Sequence, residues 1–151
     1  MTITRLLIAH HKKCDDMMLA AKEVAAQLDW TKVDMILREL STELEKHLSV
    51  EEDVIFPAYE KASGIRSGPT QVMRQEHHQM RGLLQTLQQA LADQENEIFI
   101  KMIDTLIGLM QQHNMKEESI LYPMSDARLA EPVVMQKQLV EYIEQSMKAV
   151  V

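Results

Sequence analysis

The side chains best suited to chemistry are histidines and glutamates, and they occur at a repeated spacing. The chain has 151 residues and six His. His47 is followed four residues later by Glu51, and His113 is followed at the same distance by Glu117. Residues four apart on a helix share one face. Each pair could therefore offer an imidazole and a carboxylate to one metal ion, a donor set that suits iron, manganese or zinc.

These pairs belong to an internal repeat with an offset of 66 residues. The offset maps His11 onto His77 and His47 onto His113. It also maps the segment 55–57 onto 121–123, so that Phe56 corresponds to Tyr122. Self-similarity at a fixed offset indicates duplicated structural units. The sequence therefore predicts two copies of one helical hairpin, each with an early histidine and a late HxxxEE segment.

The elements that position these residues are predicted to be helices. Leu, Met, Ala, Glu, Gln and Lys dominate, Gly and Pro number four each, and only 4% of the residues are aromatic. This composition favours helices and argues against an all-β fold. Apolar periodicity predicts helices over 4–28, from an N-cap at Thr31 to a loop at 63–69, over 70–91, from a turn at 93–97 to 121, and over 132–149.

The predicted fold is all-α. Residues 1–126 form an up-down-up-down four-helix bundle, and residues 127–151 form an additional C-terminal helix that packs on the bundle or mediates a homodimer. In such a bundle, each helix turns one apolar stripe towards the interior and its polar residues towards the solvent. Gly82 and Gly108 lie at equal height on neighbouring helices, which suggests a close helix approach or a small channel.

The hairpin geometry places four histidines at one level of this bundle. The two histidines of each hairpin are equidistant from its turn, roughly 25 Å away at the helical rise. Carboxylates and imidazoles that converge in a core need a counter-charge. Two divalent ions with a bridging oxo or hydroxo ligand would supply it. The predicted metal ligands are His11, His47, Glu51, His77, His113 and Glu117.

Neighbouring residues are expected to support this layer. Equal spacing selects His11 and His77 as ligands over His10 and His78, which we expect at the surface or beside the ligands. Asp15 lies four residues after one of these ligands, and Arg81 four residues after the other.

Two interpretations of Asp15 and Arg81 stay open: an ion pair at the bundle edge, or support of the ligands with Asp15 accepting a histidine N–H. Glu118 is expected to be solvated or ion-paired, and it is the substitute ligand if Glu117 is not one. For Tyr122, its repeat partner Phe56 favours packing over a gating role, but Tyr122 is also kept, with Asp15, Arg81 and Glu118, among the residues that could support the ligands or substitute for one.

Charge and hydropathy exclude several function classes. The net charge is −7, from 23 acidic and 16 basic residues, which disfavours nucleic acid as a partner. The N-terminal apolar run is only four residues, and no stretch approaches a membrane span. A single cysteine excludes an internal disulfide. We therefore expect a cytoplasmic protein without membrane partners.

Three segments together are similar to a hemerythrin-like (HHE cation-binding) domain over about residues 3–126. They are HLSVEEDVIFP at 47–57, EHHQMR at 76–81 and HNMKEESILYP at 113–123. The resemblance implies a non-haem di-iron centre with Glu51 and Glu117 as bridging carboxylates and the four histidines as terminal ligands. Oxygen-carrying members have a second histidine at the position of Arg81 and an aspartate at that of Glu118. The four-His, two-Glu set is closer to bacterial iron-centre repair proteins.

The leading functional prediction is a non-haem di-iron protein. Its cofactor would be two oxo- or hydroxo-bridged iron ions, with manganese or zinc less favoured. It would bind, sense or detoxify dioxygen, nitric oxide or peroxide, or handle iron. One alternative is a helical interaction module with a zinc-bound or empty histidine layer. Another is a di-iron peroxidase or nitric oxide reductase, although no side chain is identified as a catalytic acid or base.

Overall fold

The described residues, 3–126 and 141 of a computed structural model, are almost entirely helical. The predicted C-terminal helix at 132–149, and with it the predicted unit at 127–151, lies outside the described residues apart from residue 141. The elements are α1 (Ile3–Ala26), α2 (Trp30–Val50), π1 (Glu51–Ile55), α3 (Phe56–Ser63), α4 (Pro69–Ala92), α5 (Asn96–Lys116), π2 (Glu117–Leu121) and α6 (Tyr122–Asp126).

Four long rods form the bundle, and this confirms the predicted fold class. The helix α1 packs against α2 and α5, and α4 packs against α5 and α2. Short turns join α1 to α2 and α4 to α5, so neighbours along the chain run in opposite directions. The π-helical segments are continuous with the α-helices on both sides, so that α2–π1–α3 and α5–π2–α6 each form a single rod. The HxxxEE segments therefore lie where an α-helix becomes a π-helix.

Two apolar clusters fill the interior of the bundle. The larger includes Leu40, Leu44 and Met110, all at most 1% exposed. The smaller includes Leu7 and Phe56, both fully buried. Apolar periodicity predicts that the inward stripe of the helix over 70–91 ends at Leu91; in the structure Leu91 is only half-buried, and Ala90 is the buried residue at the end of α4. The predicted histidine layer lies between the two clusters along the rods.

The two hairpin turns repeat the same backbone geometry. Leu28 and Gln94, which are 66 residues apart, both have positive φ, 58° and 51°. The next residue in each turn, Asp29 or Glu95, is the N-cap of the following helix. The predicted N-cap at Thr31 is wrong, because Asp29 accepts the backbone N–H of Lys32 at 3.2 Å. Aspartate is a stronger N-cap than threonine.

The close helix approach suggested for Gly82 and Gly108 is also wrong, whereas the small channel stays a prediction. Gly82 and Gly108 are exposed, and a Cβ built at either position meets nothing within 4 Å. No close approach of the helices therefore depends on them. Within the described part of the chain, no helix combines the length and the apolar character needed to cross a membrane.

Candidate metal centre

The six predicted ligand side chains converge in the layer between the two apolar clusters. Each of these residues is at most 2% exposed. They form two overlapping groups, and within each group one ligand atom per residue lies within 4.8 Å of all the others. Position A is defined by His11, His47, Glu51 and Glu117, and position B by His77, His113, Glu51 and Glu117. Both glutamates belong to both positions, as bridging carboxylates would.

The distances inside the layer are those of atoms around a shared cation. Each histidine Nε2 lies 3.2–3.4 Å from an Oε1 of one glutamate. Glu51 Oε1 lies between a histidine of position A and one of position B, and Glu117 Oε1 does the same. An ion with bonds of about 2.1 Å places right-angled neighbouring ligands about 3.0 Å apart.

Several of these buried atoms have no hydrogen-bond partner, and this tests whether a metal fits. The Nε2 atoms of His47, His77 and His113 are unpaired, as are Glu51 Oε1 and Glu117 Oε2. Unpaired buried polar atoms are rare because each loses its hydration without compensation. All five atoms belong to the predicted ligands. A pair of cations in the layer would satisfy them together, so these residues fit a dinuclear metal centre.

Burial favours the neutral, metal-binding form of His47 and His113. Burial lowers the pKa of His113 to about 4. Burial also lowers the pKa of His47 well below its usual value, against the opposing charge of Glu51. A neutral imidazole keeps a lone pair on one ring nitrogen. Both side chains therefore present a free Nε2 at neutral pH before any metal binds.

The two glutamates share their charge unequally. Burial, followed by the charge and the hydrogen bond of Glu51, raises the pKa of Glu117 well above its usual value. Burial would also raise the pKa of Glu51, but the charge of His47 and the hydrogen bond with Glu117 outweigh it and lower this pKa. Without a cation, the protonated form is therefore favoured more strongly at Glu117 than at Glu51.

Carboxylates outside the layer orient one histidine of each position in the same way. Glu118 accepts the Nδ1–H of His11 at 3.0 Å, and Glu52 accepts the Nδ1–H of His77 at 2.7 Å. The 66-residue repeat relates these two hydrogen bonds. Such a bond directs the lone pair of Nε2 inward and raises the basicity of the ligand. Glu118 is therefore a supporting residue here, and it faces the outer nitrogen of His11.

The remaining two histidines have different outer partners. Glu76 accepts the Nδ1–H of His113 at 2.9 Å. The residue that corresponds to Glu76 in the repeat is His10, whose Nδ1 lies 2.9 Å from Nδ1 of His47. His10 Nε2 lies 2.8 Å from Glu43, which can only accept. His10 therefore donates to Glu43 and accepts from His47, as its neutral form allows.

Of the residues expected around the layer, Asp15 has neither of its predicted contacts, whereas Arg81 and His10 each take one of the roles that the sequence left open. Asp15 accepts no hydrogen bond from His11, and its Oδ1 has no partner. Arg81 does not pair with Asp15, but donates to Glu52 at 2.9 and 3.0 Å and so holds the carboxylate that orients His77. Of the two additional histidines, His78 is exposed as expected. His10 is 1% exposed and lies beside a ligand, not at the surface.

Tyr122 contributes an oxygen atom to the layer that the packing prediction missed. Its hydroxyl lies 2.7 Å from Glu51 Oε2, 3.2 Å from His11 Nε2 and 3.3 Å from Glu117 Oε1. In an α-helix, a residue five positions after Glu117 would point about 140° away from it. The segment π2 instead bonds the Tyr122 N–H to the Glu117 carbonyl, which aligns residues five apart. The sequences of the two π-helical segments, EEDVI and EESIL, show no change of periodicity from which the π-helical turn could have been predicted.

Comparison with known proteins gives one match. The family model of the hemerythrin HHE cation-binding domain matches residues 2–125. This range contains every residue of positions A and B. No significant match was found among curated proteins or among solved structures.

Proposed function

The chain belongs to the hemerythrin HHE cation-binding domain family, and from that premise we propose that it is a non-haem di-iron protein that binds a small molecule such as dioxygen, nitric oxide or peroxide. Sensing or detoxification of that molecule, or iron handling, would follow from the same centre. The observation that carries the proposal is the pair of overlapping four-residue groups, A and B, which share both glutamates. Each position also has two histidines of its own, His11 and His47 in position A and His77 and His113 in position B.

The donor set supports iron as the metal. Four imidazoles and two carboxylates without a thiolate suit iron, manganese or zinc and disfavour copper(I). Each position offers four protein ligands, which leaves coordination sites open on an ion of higher coordination number. Iron bound there would supply coordination of the small molecule and exchange of electrons with it. The protein residues would hold the ions, orient the ligands and exclude bulk water.

The burial of the layer supports a small ligand. The six side chains are at most 2% exposed, so a bulky substrate cannot reach them without opening the bundle. A diatomic molecule or peroxide needs only a narrow path. No side chain in the layer is assigned as a catalytic acid or base, and the proposed act is therefore binding.

Metal analysis of the aerobically purified protein tests the proposal. We expect two irons per chain, near-ultraviolet absorption from the ferric centre, and a lower thermal stability after chelation. Glu51→Gln and His113→Gln should abolish iron loading, whereas the exposed control His78→Gln should retain it. A colourless, iron-free protein whose stability does not change with chelator would refute the proposal and favour the interaction-module alternative.

A further inference from the structure

The hydroxyl of Tyr122 is placed among atoms that all carry lone pairs. Its three neighbours are Glu51 Oε2, Glu117 Oε1 and His11 Nε2. His11 turns its Nδ1 towards Glu118, so Nε2 is the ring nitrogen that it presents to the layer. A phenol has one hydrogen to donate. The hydroxyl therefore cannot donate to all three neighbours at once, whereas its oxygen could bind a cation together with them.

The distances around this hydroxyl are those of one face of a coordination octahedron. Tyr122 Oη, His11 Nε2 and Glu117 Oε1 form a triangle with sides of 3.2, 3.2 and 3.3 Å. Right-angled ligands on an ion with bonds of about 2.1 Å are about 3.0 Å apart. The same spacing separates the predicted ligands from one another. By distance, the phenol oxygen is equivalent to a ligand of position A.

The internal repeat provides a comparison at position B. Phe56 corresponds to Tyr122, and each ring lies against the equivalent histidine. The Tyr122 ring centroid is 5.7 Å from that of His11, and the Phe56 centroid is 5.3 Å from that of His77. A phenyl ring at this place offers no donor atom. The two positions therefore differ by one oxygen, although their remaining ligands correspond.

We propose that Tyr122 is a fifth protein ligand of the metal at position A, bound through its phenolate oxygen. This inference rests on the proposed function. On metal binding the O–H bond breaks, the proton passes to solvent, and the oxygen donates the electron pair that it keeps. No electron is transferred. Position B, which has Phe56 instead, keeps one more open coordination site and is the place for the small molecule.

Absorption spectroscopy of the metal-loaded protein tests this assignment. A phenolate bound to iron(III) gives a ligand-to-metal charge-transfer band in the visible range, with tyrosinate modes enhanced in resonance Raman spectra. We expect both signals in the ferric wild-type protein. Tyr122→Phe should lose them while it retains two irons per chain. The matched control is Tyr59→Phe, since Tyr59 is buried in the smaller apolar cluster; it should keep both signals.

A second arm uses zinc(II), which has no colour of its own. Zinc binding should produce an ultraviolet tyrosine-to-tyrosinate difference spectrum in the wild type and in Tyr59→Phe, but not in Tyr122→Phe. If ferric protein with two irons lacks the visible band, or if the band persists in Tyr122→Phe, the tyrosine assignment is overturned and the di-iron function stands. Protein that takes up no iron overturns the di-iron function. The zinc experiment then tests the Tyr122 assignment separately, and a tyrosine spectrum that zinc does not change overturns that assignment too.

Discussion

Replacing Glu117 with glutamine should stabilise the metal-free protein and abolish its response to metal. In the metal-free state, Glu117 is fully buried beside Glu51, and burial and the Glu51 charge raise its pKa well above the usual value. A raised pKa means that the folded protein favours the protonated carboxyl group more than the unfolded chain does. A glutamine amide can donate the hydrogen bond to Glu51 without that proton.

The expected magnitudes follow from burial and chain length. Replacing a buried ion pair by well-packed apolar side chains is often neutral or stabilises a protein by about 1–4 kcal/mol, and we expect removal of the Glu117 carboxyl group to fall within the favourable range. For 151 residues, the entropy of unfolding makes each kcal/mol worth about 3 °C in melting temperature. The metal-free variant should thus melt about 3–12 °C above the metal-free wild type. Metal at 100 times its dissociation constant adds about 2.7 kcal/mol per site, or about 16 °C for two sites, to the wild type alone.

Thermal unfolding followed by circular dichroism, with and without iron(II) under anaerobic conditions, measures both effects. Glu39→Gln is the matched control, because Glu39 is exposed on α2. It should leave the metal-free melting temperature and the metal-induced shift unchanged. The reasoning would be refuted by a metal-free Glu117→Gln protein that is less stable than the wild type. A metal-induced shift of wild-type size in that variant would refute the ligand role of Glu117.

Three further outcomes are expected. His10→Ala should weaken metal binding about 10–100-fold in a metal titration, because His47 loses the hydrogen bond with His10 that orients its ring. His78→Ala should leave the affinity unchanged, and an equal loss in both variants would contradict the supporting role of His10. The free energy of unfolding of the metal-free protein should decrease as the pH falls from 6.5 towards 4, since burial lowers the His113 pKa to about 4 and the unfolded chain binds that proton first. This contribution of about 3 kcal/mol is present above pH 6.5, and urea titrations should show a flatter profile for His113→Gln. Gly82→Ala and Gly108→Ala should each stabilise the protein by about 1 kcal/mol in chemical denaturation, because both sites are exposed and open; a loss of stability would indicate a contact that this geometry lacks.

The layer of six side chains was predictable from the sequence because it depends only on helical rise and turn position. His11 and His47 are equidistant from Asp29 along the chain, and the structure places the turn there. Apolar periodicity then gives the inward face of every rod. Helical rise, turn position and apolar periodicity are each set within one hairpin. Because the second hairpin repeats the first at an offset of 66 residues, the same reasoning gives the ligand level in both.

Contacts between different rods were not predictable in the same way. Asp15 was a candidate acceptor because it shares a face of α1 with His11, yet the acceptor is Glu118 in π2 of the fourth rod. The pairing depends on how α1 packs against α5, and no property of either helix alone specifies it. For the same reason, the sequence separated His10 from the ligands but did not show that it is buried against His47.

The π-helical segments explain why the layer contains a side chain, Tyr122, that α-helical periodicity does not place there. Each begins at a glutamate of the candidate metal layer, Glu51 or Glu117, and returns its fifth following residue to that layer. The same backbone device therefore presents Phe56 at position B and Tyr122 at position A. Since the backbone is duplicated, the chemical difference between the positions lies in side chains at equivalent places. If Tyr122 binds the metal as proposed, the single oxygen atom that π2 presents would make position A coordinate its metal differently from position B.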